Sequence, residues 1–153
     1  MKTEALGRWL ENILHTKIPL TKEMDIRVTG YDGATLKLRA PLARNVNDKG
    51  SAFGGSLFSL AVLAGWGLLS LKLKEENLAG DVVIHETSVT YRHPVSEDLE
   101  ACCELAGDNE YSKFITALRT RGKGRITLDV NVMQGSRIAM HFRGSFVAFR
   151  LNR

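Results

Sequence analysis

The sequence predicts an α+β domain in which a curved antiparallel sheet wraps around one long central helix. The stretch from Gly50 to Leu71 carries no charged residue, and a helix that is apolar on every side must be enclosed by other elements. Elsewhere, segments with the two-residue alternation of half-buried strands outnumber segments with helical periodicity. A sheet that curls around the helix is the simplest arrangement that buries both.

The apolar segment is also long enough to be a membrane span. At about 1.5 Å per residue it would form a helix of about 33 Å, which matches the hydrocarbon core of a bilayer. Glycine and serine dilute its hydrophobicity, and 25% of the chain's residues are charged. Neither flank carries the excess of Lys and Arg that orients a span. We therefore expect a core helix and no membrane association.

Length and composition favour one domain covering residues 1–153, with an N-terminal helix over about residues 3–15. Lys and Arg number 21 against 17 Asp and Glu, which fits either an ordinary basic surface or an anionic partner. Cys102 and Cys103 are adjacent and form no spaced disulfide framework. Residues 1–11 contain no apolar signal core. Both observations predict a cytoplasmic protein.

Before the central helix we predict a helix and a hairpin. Thr3 to His15 has apolar residues at helical spacing, with Thr3 as the cap, and Pro19 marks the exit from this helix; the apolar residues are Leu6, Trp9, Leu10, Ile13 and Leu14. Met24 to Ala40 alternates as a hairpin does, with its turn at Tyr31-Asp32-Gly33.

After the central helix we predict four strands and one short helix. The strands alternate or are rich in Val, Ile and Thr, and cover Asp81–Tyr91, Leu99–Leu105, Ile126–Val132 and Ile138–Ala148. Asp108 to Arg121 changes to helical periodicity, with Gly122 in position to cap its C-terminus.

The loop before the central helix has the sequence Asn47-Asp48-Lys49-Gly50-Ser51-Ala52-Phe53-Gly54-Gly55-Ser56. It resembles the Asn-x-x-Gly-x-x-His-Gly-Gly loop of hotdog-fold acyl-CoA thioesterases, with Phe53 where the histidine usually stands. Tyr91-Arg92-His93-Pro94 is similar to the Tyr-x-x-Pro end of that fold's next strand. Over about residues 20–150 the chain most resembles the thioesterase family that forms the C-terminal domain of bacterial YiiD, whose loop also has Phe-Gly-Gly-Ser.

This resemblance implies a hotdog fold and an enzyme, a hydrolase of acyl thioesters carried by coenzyme A or acyl carrier protein. It implies a homodimer or a dimer of dimers, because the fold builds its site from two subunits. It implies no cofactor apart from the coenzyme A of the substrate. A non-catalytic binding module for acyl thioesters or fatty acyl groups is the main alternative. A dehydratase is a weaker one, since the loop lacks the histidine and acid it would need.

Gly54 and Gly55 are the candidate oxyanion donors. Without a Cβ, each lets a carbonyl oxygen approach its backbone N–H group. Amides in the first turn of a helix lack partners and lie at its positive end. They would stabilise the negative charge that develops on the thioester oxygen, and losing one such donor raises a barrier by about 3–4 kcal/mol. The alternative is that the glycines only let the helix start pack closely on a strand.

The catalytic carboxylate is harder to assign. In many hotdog thioesterases it lies about two turns into the helix, which here falls near Val62, or in the preceding loop. No acid occurs between Asp48 and Glu75. Asp48 is the first candidate and Glu86 the second. The structural alternative is a loop charge near the helix end for Asp48 and an exposed strand residue for Glu86. Alternation places His85 on the opposite face from Glu86. Asn47 would position water or the carbonyl, or simply form a turn.

The remaining predicted contacts bind substrate. Phe53, Ser56 and Ser59 would meet the acyl thioester, and the basic residues Arg92, His93 and Lys123 the phosphates of coenzyme A, unless these are only solvated turn charges. The four histidines are scattered, so we expect no metal site. No aromatic residue interrupts the basic stretch Arg119–Arg125, so we expect no nucleic acid partner.

Overall fold

The six strands of the computed structural model, which describes residues 2–151, form one antiparallel sheet of order β1-β2-β4-β5-β6-β3. The strands are β1 (Arg27–Tyr31), β2 (Thr35–Ala40), β3 (Gly80–Tyr91), β4 (Leu99–Glu104), β5 (Lys123–Gln134) and β6 (Arg137–Arg150). The helices are α1 (Lys2–Lys17), α2 (Pro19–Glu23), α3 (Gly54–Glu75) and α4 (Asp108–Arg121), with a 3₁₀ turn at Leu42–Arg44. The predicted strands, hairpin and short helix are all present.

The long helix α3 lies against β2 to β6 and against α1. By length and composition it could cross a membrane, but 61% of its most apolar window is buried inside the protein. The enclosing elements are the ones that its uncharged sequence requires. The predicted fold class, a curved antiparallel sheet around a long helix, is therefore confirmed.

Glycine lets α3 approach the sheet closely. A Cβ on Gly65 would lie 2.5 Å from Cζ of the buried Phe146 ring on β6. A Cβ on Gly67 would lie 3.0 Å from side-chain atoms of Leu10 and Leu36. Both glycines occupy positions where neighbouring side chains already fill the space, so they contribute to packing.

The N-terminal region differs from the prediction in two details. Helix α1 begins at Lys2 and buries Leu6, Leu10 and Leu14, so Thr3 lies inside the first turn and does not cap it. Pro19 lies just beyond the end of α1, as predicted, but it also starts a short helix, α2, that the sequence did not predict; at this position its fixed φ suits a helix and its missing N–H costs nothing.

The two edge strands of the sheet, β1 and β3, differ in what contacts their outer side. At β1, the carboxylate of Glu11 accepts a 2.9 Å hydrogen bond from the N–H of Val28, which occupies a backbone donor of that strand. At the other edge, no strand among residues 2–151 pairs with the outer side of β3. Within β3 the register against β6 shifts between Ile84 and Glu86, leaving His85 without a partner. The simple alternation predicted for His85 and Glu86 is interrupted there.

Candidate active site

The first turn of α3 presents two backbone donors without partners. Phe53 precedes the helix in an extended conformation (φ −64°, ψ 130°) and makes no side-chain cap. Its carbonyl oxygen accepts hydrogen bonds from the N–H groups of Ser56 and Leu57. The N–H groups of Gly54 and Gly55 have no acceptor within residues 2–151. We call these two residues the tip of α3; their bare amides lie where the helix dipole is positive.

Asn45 holds the tip in place, and the sequence analysis did not single it out. Its side-chain amide donates to the carbonyl oxygens of Met24 (3.0 Å) and Pro41 (2.8 Å). Its backbone carbonyl accepts a hydrogen bond from the N–H of Phe53 at 2.8 Å. The side chain is buried, and its Oδ1 atom has no partner among the described residues. Sequence offers no signal for this role, because Met24 lies 21 residues away, just after α2.

The Asn47 side chain organises its own loop. Its Oδ1 accepts hydrogen bonds from the N–H groups of Lys49 (2.8 Å) and Ser51 (3.2 Å), and its Nδ2 donates to Ser51 Oγ at 2.9 Å. Gly50 follows with φ +84°, a conformation that glycine adopts without strain. Asp48 points outward, with 82% of its side chain exposed, and pairs with Lys49 at 3.3 Å. This geometry matches the structural alternatives given above for both residues.

Tyr91, at the end of β3, contacts the tip directly. Its hydroxyl donates a 3.0 Å hydrogen bond to the carbonyl oxygen of Gly54. Burial raises the pKa of Tyr91 above its ordinary value, which keeps the hydroxyl protonated and able to donate. The N–H groups of Arg92 and His93 both donate to the Ala139 carbonyl, at 2.7 and 3.1 Å. The Tyr-x-x-Pro pattern was the signal in the sequence for the contact between Tyr91 and the tip.

An open cleft of about 400 Å³ lies beside the tip. Gly55, Ser56 and Ser59 of α3 line it together with Leu20 and Glu23 of α2 and with Met24, which follows α2. Phe53 also lines the cleft, and its ring lies against Gly55: a Cβ on Gly55 would be 2.4 Å from Phe53 Cε2. The missing Cβ of Gly55 therefore accommodates this ring, a use that the sequence did not reveal.

Two predicted site residues lie away from the cleft in the same chain. Glu86 is exposed and precedes Tyr91 by five positions on an extended strand, about 16 Å at 3.3 Å per residue. Lys123 pairs in the sheet with Phe149, which pairs with Asp81 near the start of β3. Lys123 is therefore aligned across the sheet with Asp81, which lies about 33 Å along β3 from Tyr91. Residues 2–151 contain no group of His, Cys, Asp and Glu side chains that could hold a metal ion.

A family model described as "Putative thioesterase (yiiD_Cterm)" matches residues 8–150, nearly the whole chain. The chain belongs to this YiiD C-terminal thioesterase family. The assignment confirms the resemblance inferred from the loop and supports thioester hydrolysis as the general class of activity.

Solved structures place this family member among hotdog proteins. A protein of unknown function from Chlorobaculum tepidum TLS is 31% identical, with 97% of each chain covered and a TM-score of 0.92. A putative thioesterase from Shewanella oneidensis is 26% identical over 95% of this chain and 99% of its own, with a TM-score of 0.87. A thioesterase from Haemophilus influenzae, 16% identical over 94% of this chain and 92% of its own, shares the fold at a TM-score of 0.72.

Proposed function

We propose that this YiiD C-terminal family member hydrolyses an acyl thioester, carried by coenzyme A or acyl carrier protein, at the tip of α3. The observation that supports this most directly is the pair of unpartnered N–H groups on Gly54 and Gly55, at the positive end of a 22-residue helix and beside an open cleft. When water attacks the thioester carbon, the carbonyl electrons move onto oxygen. The two N–H groups would stabilise that charge more than they stabilise the neutral carbonyl, which lowers the barrier.

The cleft suits an acyl chain. Leu20, Met24 and Phe53 supply apolar surface, and Ser56 and Ser59 supply hydroxyl groups close to the tip. Each buried methylene contributes about 0.8 kcal/mol, or about fourfold in affinity. We expect KM to fall by about that factor with each added methylene until the cleft is full. Arg92 and His93 follow Tyr91, which contacts the tip, and we propose that they bind the phosphates of coenzyme A.

We propose a homodimer in which two β3 strands pair. No strand among residues 2–151 pairs with the outer edge of β3, and its side chains Val83 and Ile84 are 45% and 39% exposed. On α3, Val62 and Trp66 are half-buried and lie four residues apart on one face of the helix. Trp66 reaches β3, where its Nε1 donates a 3.0 Å hydrogen bond to the Val82 carbonyl. A second copy would cover both surfaces and remove an unprotected edge. Further assembly into a dimer of dimers stays a prediction.

Antiparallel pairing would also bring Lys123 to the site. The Gly80 end of one β3 strand would lie near the Tyr91 end of the other, which brings the partner's Lys123 toward this tip. Glu86, near the middle of β3, would be covered at the interface. Lys123 would then contribute to the site across the interface.

The test is release of free thiol from short, medium and long acyl-CoAs, with acyl carrier protein thioesters as a second carrier. Gly54→Pro removes one N–H donor; proline suits the first helical position, and Phe53 already has the extended ψ that a residue before proline requires. We expect kcat to fall by about 10²–10³.

Gly54→Ala is the matched control, because it keeps the N–H group and its Cβ would lie 3.6 Å from Tyr91, an ordinary contact. Thiol release at the unaltered rate by folded Gly54→Pro would show that this donor is not used.

A non-catalytic acyl-thioester binding module is the second candidate. The observation in its favour is that Val62 occupies the helical position near which many hotdog thioesterases carry an acid, and that α3 has no acid before Glu75. Acyl-CoA binding by calorimetry, with no thiol released at any chain length, would establish the module.

A further inference from the structure

The cleft beside the tip contains a carboxylate that the sequence did not indicate. Among the described residues that line the cleft, only Glu23 is acidic, and it shares this lining with Gly55 and Ser56. Neither of the two predicted acids lines this space. Asp48 extends into solvent beside Lys49, and Glu86 lies about 16 Å along β3 from Tyr91.

The backbone around Glu23 is held firmly. Glu23 is the last residue of α2, and its carbonyl oxygen accepts a 3.2 Å hydrogen bond from Arg44 Nη1. The next carbonyl, that of Met24, accepts from the buried side chain of Asn45, whose backbone carbonyl accepts from the N–H of Phe53, the residue before the tip. Asn45 therefore links the chain beside Glu23 to the start of α3, although α2 and α3 are separated by 30 residues of chain.

The carboxylate of Glu23 has no partner among the described residues. No hydrogen bond or ion pair to its side-chain oxygens exists within residues 2–151, whereas Asp48 is paired. Arg44 lies on the same cleft and provides a positive charge there, so a negative side chain is not isolated in apolar surroundings. Glu23 is exposed to solvent. A carboxylate with free lone pairs, on the cleft that the electrophile would enter, can accept a proton from the attacking water.

We infer that Glu23 is the general base that activates the attacking water, an inference that rests on the proposed thioesterase function. As the water oxygen bonds to the thioester carbon, one water proton passes to the Glu23 carboxylate and the carbonyl electron pair moves to the oxygen held by Gly54 and Gly55. The carbonyl then re-forms and the C–S bond breaks. The leaving thiolate takes the proton from Glu23, which yields a carboxylic acid, a free thiol and the regenerated carboxylate.

The experiment compares Glu23→Gln with Glu104→Gln, a substitution at an exposed position of β4, in the thiol-release assay. We expect Glu23→Gln to lower kcat by about 10²–10⁴ with KM nearly unchanged, and Glu104→Gln to change kcat by less than about tenfold. The acidic limb of the pH–kcat profile should disappear in Glu23→Gln. Acetate or formate should restore part of the activity of Glu23→Ala, which separates a missing proton acceptor from a distorted site.

Three results would overturn the inference. Glu23→Gln with wild-type kcat, in a protein that Gly54→Pro inactivates, removes the role of Glu23 and leaves the proposed function standing. A higher KM with kcat unchanged makes Glu23 a binding residue. Absence of thiol release by the unaltered protein on every acyl thioester removes both proposals together.

Discussion

The hydroxyl of Tyr91 donates a 3.0 Å hydrogen bond to the carbonyl oxygen of Gly54, joining the end of β3 to the first turn of α3. This contact fixes the peptide that follows Gly54, and with it the direction of the Gly55 N–H group. A donor that is already oriented needs no reorganisation when charge develops on the substrate. The relationship gives Tyr91 a positioning role, since its hydroxyl acts through the backbone.

Tyr91→Phe should therefore lower kcat more than it changes KM. Losing one hydrogen bond of about 1 kcal/mol corresponds to a loss of about fivefold in kcat. The matched control is Tyr111→Phe, which removes a hydroxyl that donates to Glu76 at the opposite end of α3. Thiol-release kinetics on both variants measure the difference. Equal kinetic effects in the two variants would remove the positioning role.

Val62→Lys should convert the proposed dimer into a monomer. Val62 lies on the half-buried face of α3 that a second copy would cover, and a buried unpaired ammonium costs several kcal/mol. Light scattering after size exclusion measures the mass. Thr127→Lys, on an exposed position of the inner strand β5, is the control and should leave the mass unchanged. A Val62→Lys protein with the wild-type mass would exclude this face as the interface.

Gly65→Ala should destabilise the protein by about 1–3 kcal/mol, measured by urea denaturation. The added Cβ would meet the buried Phe146 ring at 2.5 Å, and that ring is enclosed by the core. Gly54→Ala makes the same chemical change where the nearest atom is 3.6 Å away, so we expect no loss of stability there. Similar unfolding midpoints for the two variants would contradict the close packing of α3 on β6.

Stability should fall as pH rises above about 10. Burial, followed by nearby Glu75 or Glu76, raises the pKa of Tyr31 and Tyr111 above the ordinary value of 10.0. Above that value the unfolded chain releases tyrosine protons that the folded chain keeps. The unfolded state then binds fewer protons, so the free energy of unfolding decreases with pH.

Urea midpoints between about pH 8 and about pH 11 test this dependence. The doubly substituted Tyr31→Phe, Tyr111→Phe protein should show a shallower decline, because it lacks both groups. Identical slopes in the two proteins would show that these tyrosines do not cause the loss.

Local sequence predicted most elements well because the responsible interactions are local. Asp108–Arg121 has helical spacing and ends before Gly122, which adopts φ +75° as a left-handed cap does. The uncharged stretch identified α3, since its side chains are stable only when enclosed. The glycine loop likewise identified the tip, because bare amides at a helix start follow from helix geometry alone.

The elements that sequence missed depend on distant partners. Helix α2 spans five residues, too few for periodicity to be visible, and hydrogen bonds from Arg44 and Asn45 hold its C-terminal end. Lys123 was grouped with Arg92 because both are basic and follow regular elements, yet strand register separates them along the sheet.

By itself, the sequence determined the order of elements, the enclosed helix and its amide-bearing tip, because each depends on residues adjacent in the chain. Only the tertiary structure decided which side chains surround that tip. Glu23, Asn45 and Tyr91 reach it from three separate segments, brought together by strand pairing and by burial of one shared core, which no local pattern encodes.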